Sequence, residues 1–590
     1  MKKNMTQDYW EIIKRLQEPQ NLSLGWELER RVAENKDKTA LVYQDEIISY
    51  QQLNAGANRY ADCFSRLGFK KGDVVVLFMK NRPEFLMAAT GLSKLGVIVS
   101  LVHIGIRKDV LAHDINICEP RAVIVGYELI DVFNEVLPLL KLRAPALILI
   151  DSPSDHELPA SRMQALGPLL QSSSEENPSA TVTINSDDPL VYLYTPGQSG
   201  LRKAVAISQQ SCLIKSYLYS MLGYMQEKTV QYMCLPLHNN GGFVGAYSAM
   251  ITSGSTMVLK QKFSVHNFFD DLRFYGADYV IAVGEMARYL YNQPPRENDR
   301  DNPLQVMVCN GMWGSLVEAF RERFDVQHII EVYTKTEGVG IFVNFEEVPG
   351  MCGNLSLRDM RQGEVVQYDY SNKQIKRNSA GRAIKCVPGE SGLLVCEINQ
   401  LNRFAGYIND PSSTEEVLLS NVFAEGDRYF NSGDLVQLHE KDYISYVDRL
   451  GDTYRWKGRT VSANQVADVL QRFYGGIEDV IVYAVKVPDV EGRCGMASLK
   501  LIEGEQLNWA EFIKHINRRM PEHARPVFIR IADQLAGGQD SEEYKEILRY
   551  EGFNPGRVKD PLYFLHPELE QYLPLDMETY KQILAQEIKL

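Results

Sequence analysis

From Thr39 to Tyr127, short β-rich runs alternate with helix-length amphipathic stretches. That alternation restricts the fold more than any other feature of the chain. TALVY, Leu53–Leu67, VVVLFM, Phe85–Leu95, VIVSLV and RAVIVG read in order as β-α-β-α-β-β. Strands joined by helix-length crossovers can lie parallel, so the pattern predicts a doubly wound parallel sheet. A second such region runs from Leu190 to Val308, with YLYT, QYMCLPL, TMVLK and YVIAV as strands. Between them, Asp151–Asp188 is rich in Ser, Pro, Asp and Glu and reads as a surface connection.

After about Tyr370 the character changes to short strands and turns, as in SGLLVCEI, YFNSGDLVQLH and DYISYVDRLGDTYRWKG. VIVYAVKV, GMASLKLI and the amphipathic Trp509–Met520 then suggest a small closing α+β domain. The expected boundary lies near Arg449–Asp452, with Gly451-Asp452 as a hinge, giving domains 1–450 and 451–590. At roughly 100–200 residues per domain, 590 residues require more than one folding unit.

Composition narrows the function classes. There are 63 Lys+Arg against 76 Asp+Glu, a net charge of −13. Coating nucleic acid requires a concentrated basic surface, so no nucleic-acid partner is expected. The nine cysteines are scattered and form no CxxC pair, so reduced buried thiols are expected. The first residues, MKKNMTQDYWEIIKRLQ, lack an apolar signal core. Phe85–Val102 carries Lys94 and many small residues, so it reads as a core helix entering a strand. A cytoplasmic location follows as the expectation, with peripheral membrane contact left open.

Three segments carry chemistry. Tyr194-Thr195-Pro196-Gly197-Gln198-Ser199-Gly200-Leu201-Arg202-Lys203 follows an apolar strand. Glycines, small polar residues and a lysine make a loop that can approach phosphate oxygens, although it is not a Walker A sequence. In Glu331-Val332-Tyr333-Thr334-Lys335-Thr336-Glu337-Gly338, a carboxylate beside a hydroxyl suits a hard cation such as Mg²⁺, whereas a lone loop Glu is more often solvated. Tyr429-Phe430-Asn431-Ser432-Gly433-Asp434-Leu435 is followed by Asp448-Arg449 and Gly451-Asp452-Thr453-Tyr454-Arg455-Trp456-Lys457-Gly458. An Asp after a Gly turn can accept from both hydroxyls of a ribose, and a following Arg adds a donor. A β-turn Asp and a surface Arg would look the same singly.

Together and in this order, the three segments resemble the adenylate-forming superfamily. The closest similarity is to its fatty acid transport protein/very-long-chain acyl-CoA synthetase branch. FSVHNFFDDLRFYGADYV, VYTKTEGVGIFVNF, YFNSGDLVQL, DRLGDTYRWKG and EGFNPGRVKDPLYFL extend the likeness over about Trp26 to Leu590. The resemblance implies an α/β adenylate-forming fold: a large N-terminal domain of parallel sheets with a β-rich subdomain, and a small mobile α+β C-terminal domain. It implies ATP, Mg²⁺ and CoA acting on a fatty or other hydrophobic carboxylic acid, first to acyl-AMP and pyrophosphate, then to a thioester. By position, Thr195, Gly197, Ser199, Gly200 and Lys203 fall in the phosphate loop. Thr336 and Glu337 match the phosphate and Mg²⁺ contacts, with Glu337 the metal ligand. Tyr333, Asn310 and Gly311 lie around adenine, Asp434 and Arg449 at the ribose, and Gly458 along the thiol's approach.

The departures are concentrated at the adenylation site. Where the family's loop reads TSGTTGLPK, this chain has Pro196, Gln198, Ser199 and Arg202 at the altered places. Thr334 stands at a glycine position beside the acyl site, and LPLYH becomes Leu235-Pro236-Leu237-His238-Asn239. Aligned on Lys545 and Glu551-Gly552-Phe553, the adenylation lysine falls on Glu542. Lys545 replaces it only if the loop is rebuilt. Three activities therefore remain open. The chain is an acyl-AMP/acyl-CoA ligase, a non-adenylating relative that binds a nucleotide, an acyl ligand or a partner, or an enzyme that uses a preformed adenylate with CoA or another acceptor.

Overall fold

The computed structural model describes residues 10–16, 21–142, 146–151, 163–195, 201–312, 314–357, 360–369, 372–399, 402–450, 452–457, 459–473, 475–488, 490, 492–535 and 541–590. Two compact units divide the chain. The first comprises Met1–Glu364, Val395–Asn431 and Lys441–Tyr443; the second comprises Val365–Leu394, Ser432–Glu440 and Ile444–Leu590.

The strands of the first unit that concern the site are, in chain order, β1 (Thr39–Tyr43), β2 (Glu46–Ser49), β3 (Val74–Phe78), β4 (Ile98–Leu101), β5 (Ala122–Gly126), β6 (Leu147–Asp151), β7 (Met163–Ala165) and β8 (Pro189–Thr195). They continue with β9 (Lys203–Ser208), β10 (Val230–Met233), β11 (Thr256–Leu259), β12 (Tyr279–Val283), β13 (Val306–Asn310), β14 (His328–Thr334) and β15 (Ile341–Val343). Among the described residues they form a seven-stranded sheet, β7-β6-β5-β3-β4-β8-β9, and an eight-stranded sheet, β15-β14-β13-β12-β10-β11-β1-β2. Both are parallel at their centres, with antiparallel pairs at β8/β9, β1/β2 and β14/β15.

Two expectations change in detail. TALVY keeps an antiparallel pairing with β2 but lies parallel to β11 and not to VVVLF, so the first alternating region feeds two sheets. VIVSLV and RAVIVG, which are β4 and β5, do not follow each other directly either, because the helix Lys108–Ile117 lies between them and β3 separates them in the sheet. That helix begins at Arg107 without a side-chain cap, and Lys108 has φ of 49°, so its start carries none of the usual sequence signals.

Helices from both halves of the unit fill the space between the sheets. Tyr50–Arg66 starts at a capping box in which Ser49 and Gln52 satisfy each other's backbone N–H groups. Gln209–Leu222 is capped by Ser208 and buried along almost its whole length, so its low amphipathicity is that of a helix covered on all sides. Both contribute to one apolar core with Phe64, Val75, Leu77, Val258 and Val280. Lys94, at the end of the helix Pro83–Lys94, is also fully buried in this core. Its ammonium is satisfied by Asn54 Oδ1 at 2.6 Å, Asn58 Oδ1 at 2.7 Å and Glu29 at 2.9 Å. Eight of the nine cysteines are buried and all nine are free thiols. Among the described residues no helix is long and apolar enough to cross a membrane.

The second unit ends in a five-stranded sheet with the order Ile477–Val485, Cys494–Leu501, Phe528–Ile531, Leu562–His566, Gln571–Pro574. Phe512, Ile516, Leu548 and Phe553 pack on it, with the Phe528 and Phe553 rings stacked at 4.1 Å. A titratable cluster helps to tie its helix Ser541–Glu551 down. Asp452, 4% exposed, accepts from Lys545 Nζ at 2.8 Å and also pairs with Arg549. Burial works to raise the Asp452 pKa, but the two cations outweigh it and hold the carboxylate below its usual range. This contribution to stability is complete above about pH 4 and is lost as acid protonates Asp452. Asp452→Asn should cost about 3 kcal/mol in urea denaturation at pH 7, and the variant should lose less stability than wild type on acidification.

Candidate active site

The phosphate-loop candidates sit where β8 ends and β9 begins. Thr195, buried, is paired across the ladder with Lys203, so the two close the base of the loop between them. Gly197, Ser199 and Gly200 lie outside the described residues. Lys203 Nζ stands 4.9 Å from the centre of the Tyr407 ring, and the Tyr407 hydroxyl donates to Glu337 Oε1 at 2.9 Å. The structure therefore brings Thr195, Lys203 and Glu337 together through a residue that sequence reading did not single out. Tyr407 follows the turn residue Gly406 in a segment without periodicity, so no pattern marked it.

Glu337 is the informative group. It is 6% exposed, and its Oε2 makes no hydrogen bond. A buried carboxylate oxygen left bare costs free energy unless a cation or donor arrives. Thr336, beside it, is half-buried. No group of three His, Cys, Asp or Glu residues among the described residues could cage a metal. One carboxylate suits Mg²⁺, which keeps waters and takes the rest of its ligands from substrate phosphates.

The adenine-side candidates form a built turn. β13 ends at Asn310, whose Nδ2 donates to Val332 O at 2.8 Å. Gly311 follows with φ of +80°, and a Cβ on the facing Gly284 would lie 1.9 Å from Gly311 O. Both positions thus exclude larger residues. Glu331 holds the turn from β14, accepting from Gly311 N at 3.1 Å and Met312 N at 3.0 Å. Tyr333, two residues on along β14, is buried beside Phe342, their rings 5.7 Å apart. Sequence reading treated Glu331 only as the first residue of a motif; its role in shaping the turn depends on a strand-to-strand contact.

Burial pushes the Glu331 carboxyl up to about 8, against the two backbone N–H groups that favour its charged form. The folded protein then holds a proton that the unfolded chain releases near pH 4.5, so this contribution to stability falls as pH rises from about 4.5 to 8. Glu331→Gln should abolish that slope in denaturation measured across pH. It should also cost about 1–3 kcal/mol, because its NH₂ would face a backbone N–H.

In the antiparallel pair of Arg428–Leu438 and Tyr443–Arg449, Asp434 and Arg449, both of the second unit, lie directly opposite each other on one face of the ladder. Gly433, with φ of +72°, accepts from Leu450 N at 2.8 Å just before Asp434. Asp434 is 4% exposed. Next to it, Asp448 accepts from Asn464 Nδ2 at 2.9 Å while its Oδ2 is buried and unbonded, and burial raises its pKa to about 6. Gly458 lies outside the described residues. Glu542 is on the helix Ser541–Glu551, its side chain outside the description, and Lys545 on the same helix is engaged by Asp452.

The family model of the AMP-binding enzymes matches residues 28–381. The chain belongs to the AMP-binding enzyme family. Within the family it is 34% identical to long-chain fatty acid transport protein 2 of Rattus norvegicus over 556 residues, 94% of this chain and 89% of that protein. It is 36% identical to long-chain fatty acid transport protein 1 of Bos taurus over 543 residues, 91% and 83% of the two chains. The fold of this AMP-binding family member is shared with solved structures of low identity. The anthranilate CoA ligase AuaEII in complex with anthranoyl-AMP superposes with a TM-score of 0.75 at 17% identity, covering 90% of this chain and 97% of that one. The ATP-bound MatB of Rhodopseudomonas palustris gives 0.73 at 17%, covering 89% and 100%. The expected α/β adenylate-forming fold is therefore the observed one.

Proposed function

We propose that this chain activates a carboxylic acid, fatty or otherwise hydrophobic, with ATP, forming acyl-AMP and pyrophosphate, and passes the acyl group to CoA. The observation that carries the reading is the buried Glu337 carboxylate with one bare oxygen, linked through Tyr407 to Lys203 at the base of the phosphate loop. Mg²⁺ bound at Glu337 would offset charge on the phosphate oxygens. Thr195, Gly197, Ser199, Gly200, Lys203 and Thr336 hold the phosphates in this reading. Asn310, Gly311 and Tyr333 receive the adenine, and Asp434 with Arg449 receives the ribose. Gly458 lines the path of the thiol, and the 451–590 segment moves about Gly451-Asp452 between the two half-reactions. The likeness to long-chain fatty acid transport proteins supports a hydrophobic acid, and a cytoplasmic location with peripheral membrane contact is part of the same proposal.

A second reading rests on Glu542. A carboxylate there opposes the incoming acid, and Lys545 is held by Asp452. The chain would then accept a preformed adenylate, or bind nucleotide or acyl ligand without adenylating. Two assays on the full chain separate the readings. One follows pyrophosphate release from ATP and Mg²⁺ with a panel of acids; the other follows thioester from synthetic acyl-AMP and CoA. Release with any acid supports activation, whereas thioester without release supports the second reading.

A further inference from the structure

The helix Gln209–Leu222 carries a second buried lysine whose surroundings differ from those of Lys94. Lys215 is 1% exposed, yet among the described residues its ammonium has a single hydrogen bond, to Asn240 Oδ1 at 3.3 Å. No carboxylate of the described residues lies within ion-pair distance of it. Lys94, equally buried, has three oxygens within 2.9 Å. One ammonium is finished by the protein; the other is left with donors to spare.

The place of Lys215 gives those donors a purpose. A Cβ on Gly338, the residue after Glu337, would lie 3.8 Å from Lys215 Nζ, so the ammonium sits beneath the end of the Thr336-Glu337-Gly338 turn. On its other side Asn240 passes its Nδ2 to Thr334 Oγ1 at 3.3 Å. Asn240 and Thr334 are both half-buried, whereas Lys215 forms the enclosed end of the relay. Asn240 also opens the π-helix Asn240–Tyr247, an irregularity that recurs at functional sites. Both relay bonds are at the long end of the hydrogen-bond range, so a stronger acceptor can replace the amide oxygen.

We propose that Lys215 binds a carboxylate of the acid substrate. The proposal rests on the acid-activation reading of the site. The carboxylate takes the place of Asn240 Oδ1 on the ammonium, and Asn240 turns its amide toward Thr334. A buried cation met by an anion is satisfied, whereas an alcohol or an amide leaves it short of charge.

The test is calorimetric titration of the full chain, without ATP, using octanoate, octanedioate and 1-octanol. Octanoate should bind wild type at least about tenfold more tightly than octanol, the scale of one charge-assisted hydrogen bond. Lys215→Met should erase that preference while melting no lower than wild type, since it removes an under-satisfied buried charge; a purely structural lysine would melt lower. Asn240→Asp, which keeps the lysine and gives it a permanent anion, should erase the preference as well. Loss for both acids assigns the site to the reacting carboxylate, and loss for octanedioate alone assigns it to a carboxylate at the far end of the tail. Unchanged acid binding in a folded Lys215→Met variant overturns the proposal, as does failure of both acids to bind wild type. Acid binding intact in wild type but with no pyrophosphate release from ATP would sink the activation reading and leave the Lys215 assignment standing.

Discussion

Glu542→Lys should raise the rate of pyrophosphate release from ATP and a hydrophobic acid by about 10²–10³-fold. The reaction brings an acid carboxylate against the α-phosphate, two anions that approach only when cations offset their charge. Removing one preorganised electrostatic partner commonly costs about that factor, and a carboxylate in its place adds repulsion to the loss. The helix Ser541–Glu551 carries position 542 without help from Lys545, whose ammonium is on Asp452. Restoring the lysine therefore needs no rebuilding of the helix. The check is initial-rate pyrophosphate release for both proteins at saturating ATP. Equal rates would show that position 542 does not limit adenylation, and would move attention to the altered phosphate loop.

Glu337→Gln should lower any ATP-dependent turnover by about 10²–10³-fold and weaken its dependence on Mg²⁺. Gln keeps an oxygen to accept from Tyr407, so the bond between Tyr407 and position 337 survives. What disappears is the negative charge on the bare Oε2. Because that oxygen makes no hydrogen bond, the variant should still fold in the absence of nucleotide, losing only the through-space support that Glu337 gives the Lys215 charge. Activity lost together with stability would point instead to a structural carboxylate. Titrating Mg²⁺ into the variant, with thermal melting as the control, separates the two outcomes.

The parts of the molecule legible in the sequence were those with local signals. The 2-residue and 3.6-residue periodicities placed β3, β4, β5 and the helices between Tyr50 and Lys94. What periodicity does not carry is the choice of partner. TALVY looks the same whether it pairs with VVVLF or with TMVL, and only the complete chain settles that it joins β11. The helix Lys108–Ile117 escaped notice because no capping residue announces it.

The site divides in the same way. Asp434, Arg449 and Lys203 were singled out by their motifs and the family resemblance, whereas the pairings of Asp434 with Arg449 and of Thr195 with Lys203 emerge only in the structure. The roles of Tyr407, Glu331 and Lys215 were not legible, since each acts on a residue far away in sequence. Lys215 lies in an apolar helix and looks there like a residue destined for solvent; only its depth and its one amide partner distinguish it. The substitutions at Thr334, Asn239 and Glu542 were visible from sequence. The contact of Thr334 with Asn240, and of Asn240 with Lys215, was not.

Pyrophosphate release by the full chain, with ATP, Mg²⁺ and acids of graded length, tests acid activation most directly. Release that depends on the acid, requires Mg²⁺ and precedes thioester formation when CoA is added is the expected result. Thioester formed from synthetic acyl-AMP and CoA, with no pyrophosphate released by any acid, would contradict it.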